Sequence, residues 1–521
     1  MKKRKYPIDT QTFSKVREFY NVYIDKTQHI YNMITNCRVV FLSRPRRFGK
    51  SLLCSTIASV FQNKRELFDG LAISKTDWNW TEHPVIHLDM MIGDIAGERG
   101  VEALIDSLNR QLSLVCRIYD ISVEPSDMIS GRFMEIISTL AIKMNNVVVI
   151  IDEYDNPLLK TVDKPELHVK IREILQGFYG ILKNMDAYIH FVFITGISKF
   201  AQVSMFSGMN QPNDISTEPE YADICGISQS ELEENFKDEI VEYSDKFGGK
   251  DKYFQKLKDS YDGYCFSEKK LSVYNPFGLL HHFSKGADFS FFWSVSGTPT
   301  FMVKYLEKNN VDILSLENAS MRKEDFANYR FDNITLFPLL YQGGYLTITD
   351  YDQNSGLYKL NYPNTEIRQT FAKFLAENYS NARKILNDSL LYELVQTIIN
   401  GDINEFMESL KVYLHRIDYS LSSKITEYYF EFAVSNIINM LGLVCENEVH
   451  TATGRIDSVI FTPKRIYVFE FKVDKPIESA FRQIKRKDYA LYYAKDGREI
   501  VKVGVVFSRE EKNIIEWSVV N

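Results

Sequence analysis

The segment NNVVVIIDEYDN, residues 145–156, carries five consecutive β-branched apolar residues, Val147 to Ile151, and then the acids Asp152 and Glu153 at once. A strand with one wet face alternates apolar and polar residues, whereas a strand that is apolar throughout must be covered on both faces. The acids mark where this strand leaves the core. Three further stretches read the same way: CRVVFL (37–42), PVIHLDMM (84–91) and YIHFVFITGISKF (188–200). Helix-period patterns separate them, such as VEALIDSLNRQLSLVCRIY at 101–119. Buried strands alternating with helices predict an α/β fold, a parallel sheet covered by helices on both faces.

Residues 37–61 read as strand, tight loop and helix, and the loop is RPRRFGKS, residues 44–51. A phosphate-binding loop wants Gly, four residues, then Gly-Lys-Ser/Thr. Gly49, Lys50 and Ser51 satisfy the second half, and Arg44 stands where the first glycine belongs. Phosphate binding needs backbone N–H groups, a helix N-terminus and a cation. Here Gly49 allows close backbone approach, Lys50 is expected to reach the β- and γ-phosphates of a nucleotide, and Ser51 to ligate Mg2+. Arg44, Arg47, Phe48 and Leu52 complete the candidate cofactor-binding set around them. Asp152 emerges at the carboxyl end of its strand, where ligands of open α/β sheets sit. It is expected to hold Mg2+ through water, with Glu153 orienting or deprotonating the attacking water. Thr195 and Ser198 end another strand and are placed to sense the γ-phosphate, although such residues also serve as helix caps. Taken singly, the loop also reads as a basic turn before a helix, and Asp152-Glu153 as a solvated strand end. Their pairing points to a nucleotide.

A second constellation lies near the C-terminus. ENEVHTATGRIDSVIFT (446–462), the turn PKR and IYVFEFKVD (466–474) predict two strands joined by a short hairpin. The helix IESAFRQIKRKDYALYYAK (477–495) and a final strand VKVGVVFS (501–508) follow. Asp457 sits inside one apolar strand, Glu470 and Lys472 inside the next, and burying charges is costly unless they pair or bind a metal. Glu470 and Lys472 are two apart, so they share a face, and Asp457 lies on the hairpin partner. Two neighbouring carboxylates make a hard-oxygen site for Mg2+ or Mn2+, and a lysine beside them positions water or neutralises charge. The competing reading is a structural ion pair.

The 521 residues are enough for about three domains. A net charge of -7 excludes a nucleic-acid-binding surface spread over the whole molecule. Residues 464–502 depart from that balance, with 11 Lys/Arg against 6 Asp/Glu. Arg482, Lys485, Arg486 and Lys487 on the helix there are placed to track phosphates, or simply to form a solvated face. Six cysteines lie far apart with no CxxC pair, and with nine scattered histidines they outline no zinc or disulfide framework. A reducing cytoplasm is the expected location. MKKRKYPIDT is not followed by an apolar signal region. No apolar run approaches the roughly 18 residues a membrane span needs, so no membrane partner is expected. Residues 225–385 are rich in aromatics, and turns and core packing explain YDGYCF and VYNPF better than chemistry does.

RPRRFGKS, IIDEYDNPL, FITGISKFAQVSMFS, YDGYCF with VYNPF, and VYIDKTQHIYNMI at 22–34 resemble the AAA-ATPase-like family of bacterial and archaeal proteins. The resemblance covers about residues 5–280. It implies that Lys50, Ser51 and Asp152 carry ATP and Mg2+ in a P-loop NTPase, and that Arg44 is an ordinary residue at its loop position. The D…ExK set is similar to the PD-(D/E)XK nuclease superfamily over about 385–521. That likeness implies Asp457 and Glu470 as metal ligands, Glu427 in ITEYYFEFAV as a further one, and Lys472 as a catalytic residue. It also matches Gln483 and Tyr489 to a glutamine and tyrosine found in some branches, and it implies DNA as substrate. The expected layout is an AAA-ATPase-like domain at 1–285, a mainly helical connecting segment at 286–384 and a restriction-endonuclease-like α/β domain at 385–521. The expected function is ATP-driven or ATP-regulated DNA cleavage. The alternative is an ATP switch or remodeller whose C-terminal domain binds nucleic acid or protein without cutting. The arginine that completes ATP hydrolysis is not identifiable beyond the nearby Arg46 and Arg47. Such arginines often come from a neighbouring subunit, which leaves a homo-oligomer open.

Overall fold

The computed structural model describes residues 4–20, 22–124, 126, 128–199, 212–295, 320–326, 336–371, 394, 396–415, 434–435, 437–438, 444–451, 454–462, 464–487, 493 and 496–520. The chain divides into two compact units, Met1–Tyr305 with Asn318–Asn364, and Leu306–Glu317 with Thr365–Asn521.

The first unit is built on a parallel sheet of five strands: β1 (Val39–Ser43), β2 (Val85–Asp89), β3 (Val147–Asp152), β4 (Ile189–Gly196) and β5 (Asn213–Asp214). Their order is β2-β3-β4-β1-β5. Every residue of β3 is buried, so both of its faces are covered, as its unbroken apolar run requires. The helices α1 (Lys50–Phe61), α2 (Gly100–Ile118), α3 (Ile129–Lys143) and α4 (Pro165–Asn184) supply cover. The chain leaves β1 and enters α1 through RPRRFGKS. Register pairs Asp89 with Asp152 and Leu42 with Thr195, which brings the polar strand ends to one edge of the sheet.

Further along, a two-stranded ladder, β6 (Tyr264–Cys265) with β7 (Ser272–Val273), precedes α5 (Pro276–Ser284). Asn275 caps α5 through Gly278 N–H, and Pro276 occupies its first turn. The expected connecting segment 286–384 is divided between the two units. Its described residues hold helices, Phe292–Val295 and Leu336–Gly343 among them, and also a small antiparallel sheet, β8 (Ser320–Arg322), β9 (Thr347–Asp352) and β10 (Leu357–Asn361), in the order β8-β10-β9. β10 keeps a two-residue period: Tyr358 and Leu360 are buried while Lys359 and Asn361 are exposed, as in a strand with one wet face.

The second unit carries a mixed sheet, β11 (Val444–Thr451), β12 (Gly454–Phe461), β13 (Arg465–Val473), β14 (Glu499–Ser508) and β15 (Asn513–Val520), in sequence order. Only β13 and β14 run parallel. The stretch expected as one strand, 446–462, is divided between two antiparallel strands, whose register ends at the Thr451–Gly454 pair. Nor did the sequence pattern reveal β15, whose Ile515 and Val519 are exposed and blur its alternation. The crossover helix α6 (Ile477–Lys487) packs on β13 and β14. Gly504 permits that approach: a Cβ there would lie 2.9 Å from Phe481 Cε1 and 3.2 Å from Ala480 Cβ. The core includes Phe406 and Leu410 of the helix Ile403–Leu414 with Phe469, Phe471 and Phe507 of the sheet.

Candidate functional sites

The first candidate site forms where β1 runs into α1. Arg47 and Gly49 both take left-handed backbone, at φ +66 and +88. Gly49 does so freely, while Arg47 carries a side chain into a region that disfavours one. These two residues fold the loop tightly onto the N-terminus of α1. Lys50, the first residue of that helix, is 4% exposed. Its ammonium donates to the carbonyls of Arg44 and Pro45, both at 3.1 Å, and lies 3.2 Å from Glu153 Oε1.

Asp152 ends β3 on the other side of this lysine and is buried. The Ser51 side chain hydrogen-bonds its carboxylate. Its Oδ1 has no hydrogen-bond partner among the described residues. Burial, and then the charge of Glu153, push its carboxyl up to about 6. A hydroxyl and an unpartnered buried carboxylate oxygen are the donors a hard divalent cation takes, so these residues fit such an ion. Glu153 follows with a left-handed backbone, φ +53. That strain persists at the junction where the side chain meets Lys50.

Thr195 is buried, and its hydroxyl likewise has no partner among the described residues. Ser198 does not share that freedom: its hydroxyl donates to Asp155 Oδ2 at 2.5 Å, and its N–H to the same oxygen at 2.7 Å. Asp155 also accepts from Ile197 N–H at 3.3 Å, so the GIS part of GISKF is tied to the DEYD turn. Lys199 ion-pairs with Asp214 at 2.7 Å. Phe48 is buried edge-on against Tyr264 and Phe266, which anchors the loop, and it also lines the cavity over it.

Arg44 does not point toward phosphates. Its guanidinium, 1% exposed, donates to the carbonyls of Ser43, Ser216 and Tyr221 at 2.9, 2.7 and 2.8 Å, and stacks 4.1 Å from the Phe266 ring centre. A buried cation needs such partners, and they hold it away from the loop's open side. Arg47 is exposed and lies over Phe277 of α5, at 4.7 Å.

A cavity of about 610 Å³ opens over the loop. Arg46, Gly49, Lys50, Ser51, Leu52 and Glu153 line one side. Lys26, Ile227, Phe277 and Leu280 are among those that line the other. This second wall was not anticipated from the sequence, although Asn-Pro before an apolar run is a helix-start signal that marks α5. The middle segment also reaches this site. Gly344, at φ +83, comes so near Pro45 that a Cβ would lie 2.8 Å from the proline Cβ, and Trp293 donates to Arg46 O at 3.2 Å.

The second candidate site is wholly within the second unit. Asp457 Oδ2 accepts the Phe471 N–H at 2.8 Å across the β12–β13 ladder. Lys472 Nζ lies 2.8 Å from Glu470 Oε1 and 3.9 Å from Asp457 Oδ2. All three are buried, Glu470 completely. The structure therefore brings Asp457, Glu470 and Lys472 together, as the strand periods require. Two buried carboxylates facing one lysine fit an oxygen-ligated divalent ion. Glu427 and Tyr489 lie outside the described residues. Gln483 is half-buried on α6, beside the exposed Arg482, Lys485 and Arg486.

A parallel sheet whose first strand turns through a Gly-Lys-Ser loop into a helix, with an acid at the end of a neighbouring strand, defines the P-loop class of fold. Comparison with known proteins agrees. The family model described as "Predicted AAA-ATPase" matches residues 7–206, and that of the PD-(D/E)XK nuclease superfamily matches residues 425–517. The chain is 32% identical to "Uncharacterized protein in vnfD 5'region" of Azotobacter chroococcum mcd 1 over 538 residues, spanning 100% of this chain and 99% of the relative. No solved structure matches the chain. The chain belongs to the AAA-ATPase-like family and carries a C-terminal domain of the PD-(D/E)XK nuclease superfamily. No helix among the described residues is long and apolar enough to cross a membrane.

Proposed function

We propose that this protein hydrolyses ATP at the first site and cuts DNA at the second. In the first unit, Lys50 exchanges its contacts with the Arg44 and Pro45 carbonyls and with Glu153 for β- and γ-phosphate oxygens. That exchange frees Glu153 to accept a proton from the attacking water. Ser51 and Asp152 hold Mg2+, which supplies charge neutralisation on the phosphates. The Thr195 hydroxyl donates to the γ-phosphate. Phe277 and Ile227, across the cavity, offer apolar surface to the base.

In the second unit, Asp457 and Glu470 hold Mg2+ or Mn2+, which acts as Lewis acid toward a phosphodiester. Lys472 orients the water and offsets the charge that develops on phosphate. DNA as the substrate follows from the superfamily and from the basic face of α6 beside this site. One observation carries the reading: Asp457, Glu470 and Lys472 are buried together, within hydrogen-bonding or ion-pairing reach of one another.

The test is to measure ATP turnover and plasmid cleavage on the full chain and two variants. Lys50→Ala is expected to lose ATP turnover. Lys472→Met is expected to lose cleavage and keep ATP turnover. ATP turnover unaffected by Lys50→Ala overturns the first assignment.

A further inference from the structure

Cys54 follows Lys50 by one helical turn, so both lie on the same face of α1. Cys54 is fully buried. His87 sits on β2, and the β2–β3 register pairs it with Ile150, two residues before Asp152. A period of two places His87 on the same sheet face as Asp89, whose register partner is Asp152. A thiol sulfur of Cys54, a ring nitrogen of His87 and a carboxylate oxygen of Asp152 consequently lie within 4.8 Å of one another.

We propose that Cys54, His87 and Asp152 form a site for a thiophilic divalent cation of the Zn2+ class, sharing Asp152 with the nucleotide site. Cysteine, histidine and one carboxylate, with a fourth position left open, are a donor set zinc accepts. Bond lengths of about 2.3 Å to sulfur and about 2.0–2.2 Å to nitrogen and oxygen place tetrahedral ligand atoms roughly 3.3–3.8 Å apart. Shifts on the order of 1 Å bring these three atoms into that arrangement. The sulfur disfavours Mg2+ and favours zinc or cobalt. A second observation points to a ligand: the buried Asp152 has an oxygen with no hydrogen-bond partner among the described residues. His87 is exposed, which gives an ion a way in.

No spacing rule reveals this set, because its members lie on a helix and two separate strands spread over 99 positions of the chain. An Asp152 carboxylate turned toward a zinc ion at Cys54 loses the orientation that serves Mg2+ beside Ser51. Zinc occupancy therefore opposes ATP turnover. This consequence, unlike the site itself, rests on the ATP reading given above.

Cobalt is the probe, since Co2+ takes tetrahedral sites and a thiolate ligand gives it an intense charge-transfer absorption. The full chain is titrated with Co2+ and then with Zn2+, and Mg2+-dependent ATP turnover is followed with and without Zn2+. The wild type is expected to bind one Co2+ through a thiolate, to release it to Zn2+, and to lose turnover as zinc binds. Cys54→Ser and His87→Ala are expected to lose the absorption, and Cys54→Ser to keep Mg2+-dependent turnover that zinc no longer inhibits. Circular dichroism checks that each variant is folded. His87→Ala, at an exposed position, decides the matter if Cys54→Ser fails to fold. Absence of the band in the wild type, or its persistence in both variants, overturns the site. A variant-sensitive band with zinc-insensitive turnover overturns the sharing of Asp152. A variant-sensitive band in a protein that turns over no ATP leaves the metal site standing and overturns the ATP reading instead.

Discussion

Arg44 fills the loop position where a phosphate-binding loop usually has glycine, and its guanidinium is turned inward onto the carbonyls of Ser43, Ser216 and Tyr221. Substituting it acts on stability first. Arg44→Met removes these charge-assisted bonds and leaves buried carbonyls unsatisfied. It is expected to destabilise the first unit by about 3 kcal/mol or more, read by urea unfolding, with ATP affinity of the folded fraction unchanged. A large affinity loss in folded protein contradicts this placement. Asp152 presents the opposite case. Its folded-state carboxyl, at about 6, stands above the ordinary aspartate value of 3.8. The charged form is thus disfavoured in the native state, and stability from this group falls as pH rises from about 4 through 6. Asp152→Asn is expected to stabilise the ligand-free first unit near neutral pH by up to about 2 kcal/mol while abolishing ATP turnover. A variant less stable than wild type at that pH contradicts the burial argument.

At the scale of elements, the loop between β1 and α1 is held by parts distant in sequence. Gly344 approaches Pro45 with a left-handed backbone. Gly344→Ala adds a methyl group against that proline and strains φ. The expected result is a loss of about 1–3 kcal/mol accompanied by weaker ATP binding, measured by calorimetry on the folded variant. The sequence made much of this fold readable, for definite reasons. The unbroken apolar run Val147–Ile151 announced a doubly covered strand, and Gly49-Lys50-Ser51 with Asp152 announced what lies at its end. The two-residue spacing of Glu470 and Lys472 placed them on one face. The rest depended on contacts between remote segments. The direction of Arg44 is set by carbonyls more than 170 positions away. The division of 446–462 between β11 and β12 shows only in their pairing, and β15 was hidden because exposed apolar residues obscure its period. Phe277 and Lys26 join the cavity wall only through tertiary packing.

At the scale of the whole molecule, each compact unit carries its own buried charged cluster. Lys50 with Asp152 and Glu153 belongs to one, Asp457 with Glu470 and Lys472 to the other. Taking a charged group out of water costs several kcal/mol, which pairing repays only where the geometry is good, so each cluster is a costly arrangement. Lys50→Ala is therefore expected to remove ATP turnover without unfolding the second unit, checked by limited proteolysis of the variant. The central claim concerns the second cluster, and DNA cleavage by the full chain tests it most directly. Plasmid and linear DNA are incubated with Mg2+ or Mn2+, with and without ATP, beside Asp457→Ala and Glu470→Gln. The wild type is predicted to cut DNA only with a divalent ion, and both variants to cut nothing while still hydrolysing ATP. Cleavage that survives both substitutions, or a wild type that hydrolyses ATP and cuts no DNA under any of these conditions, contradicts it.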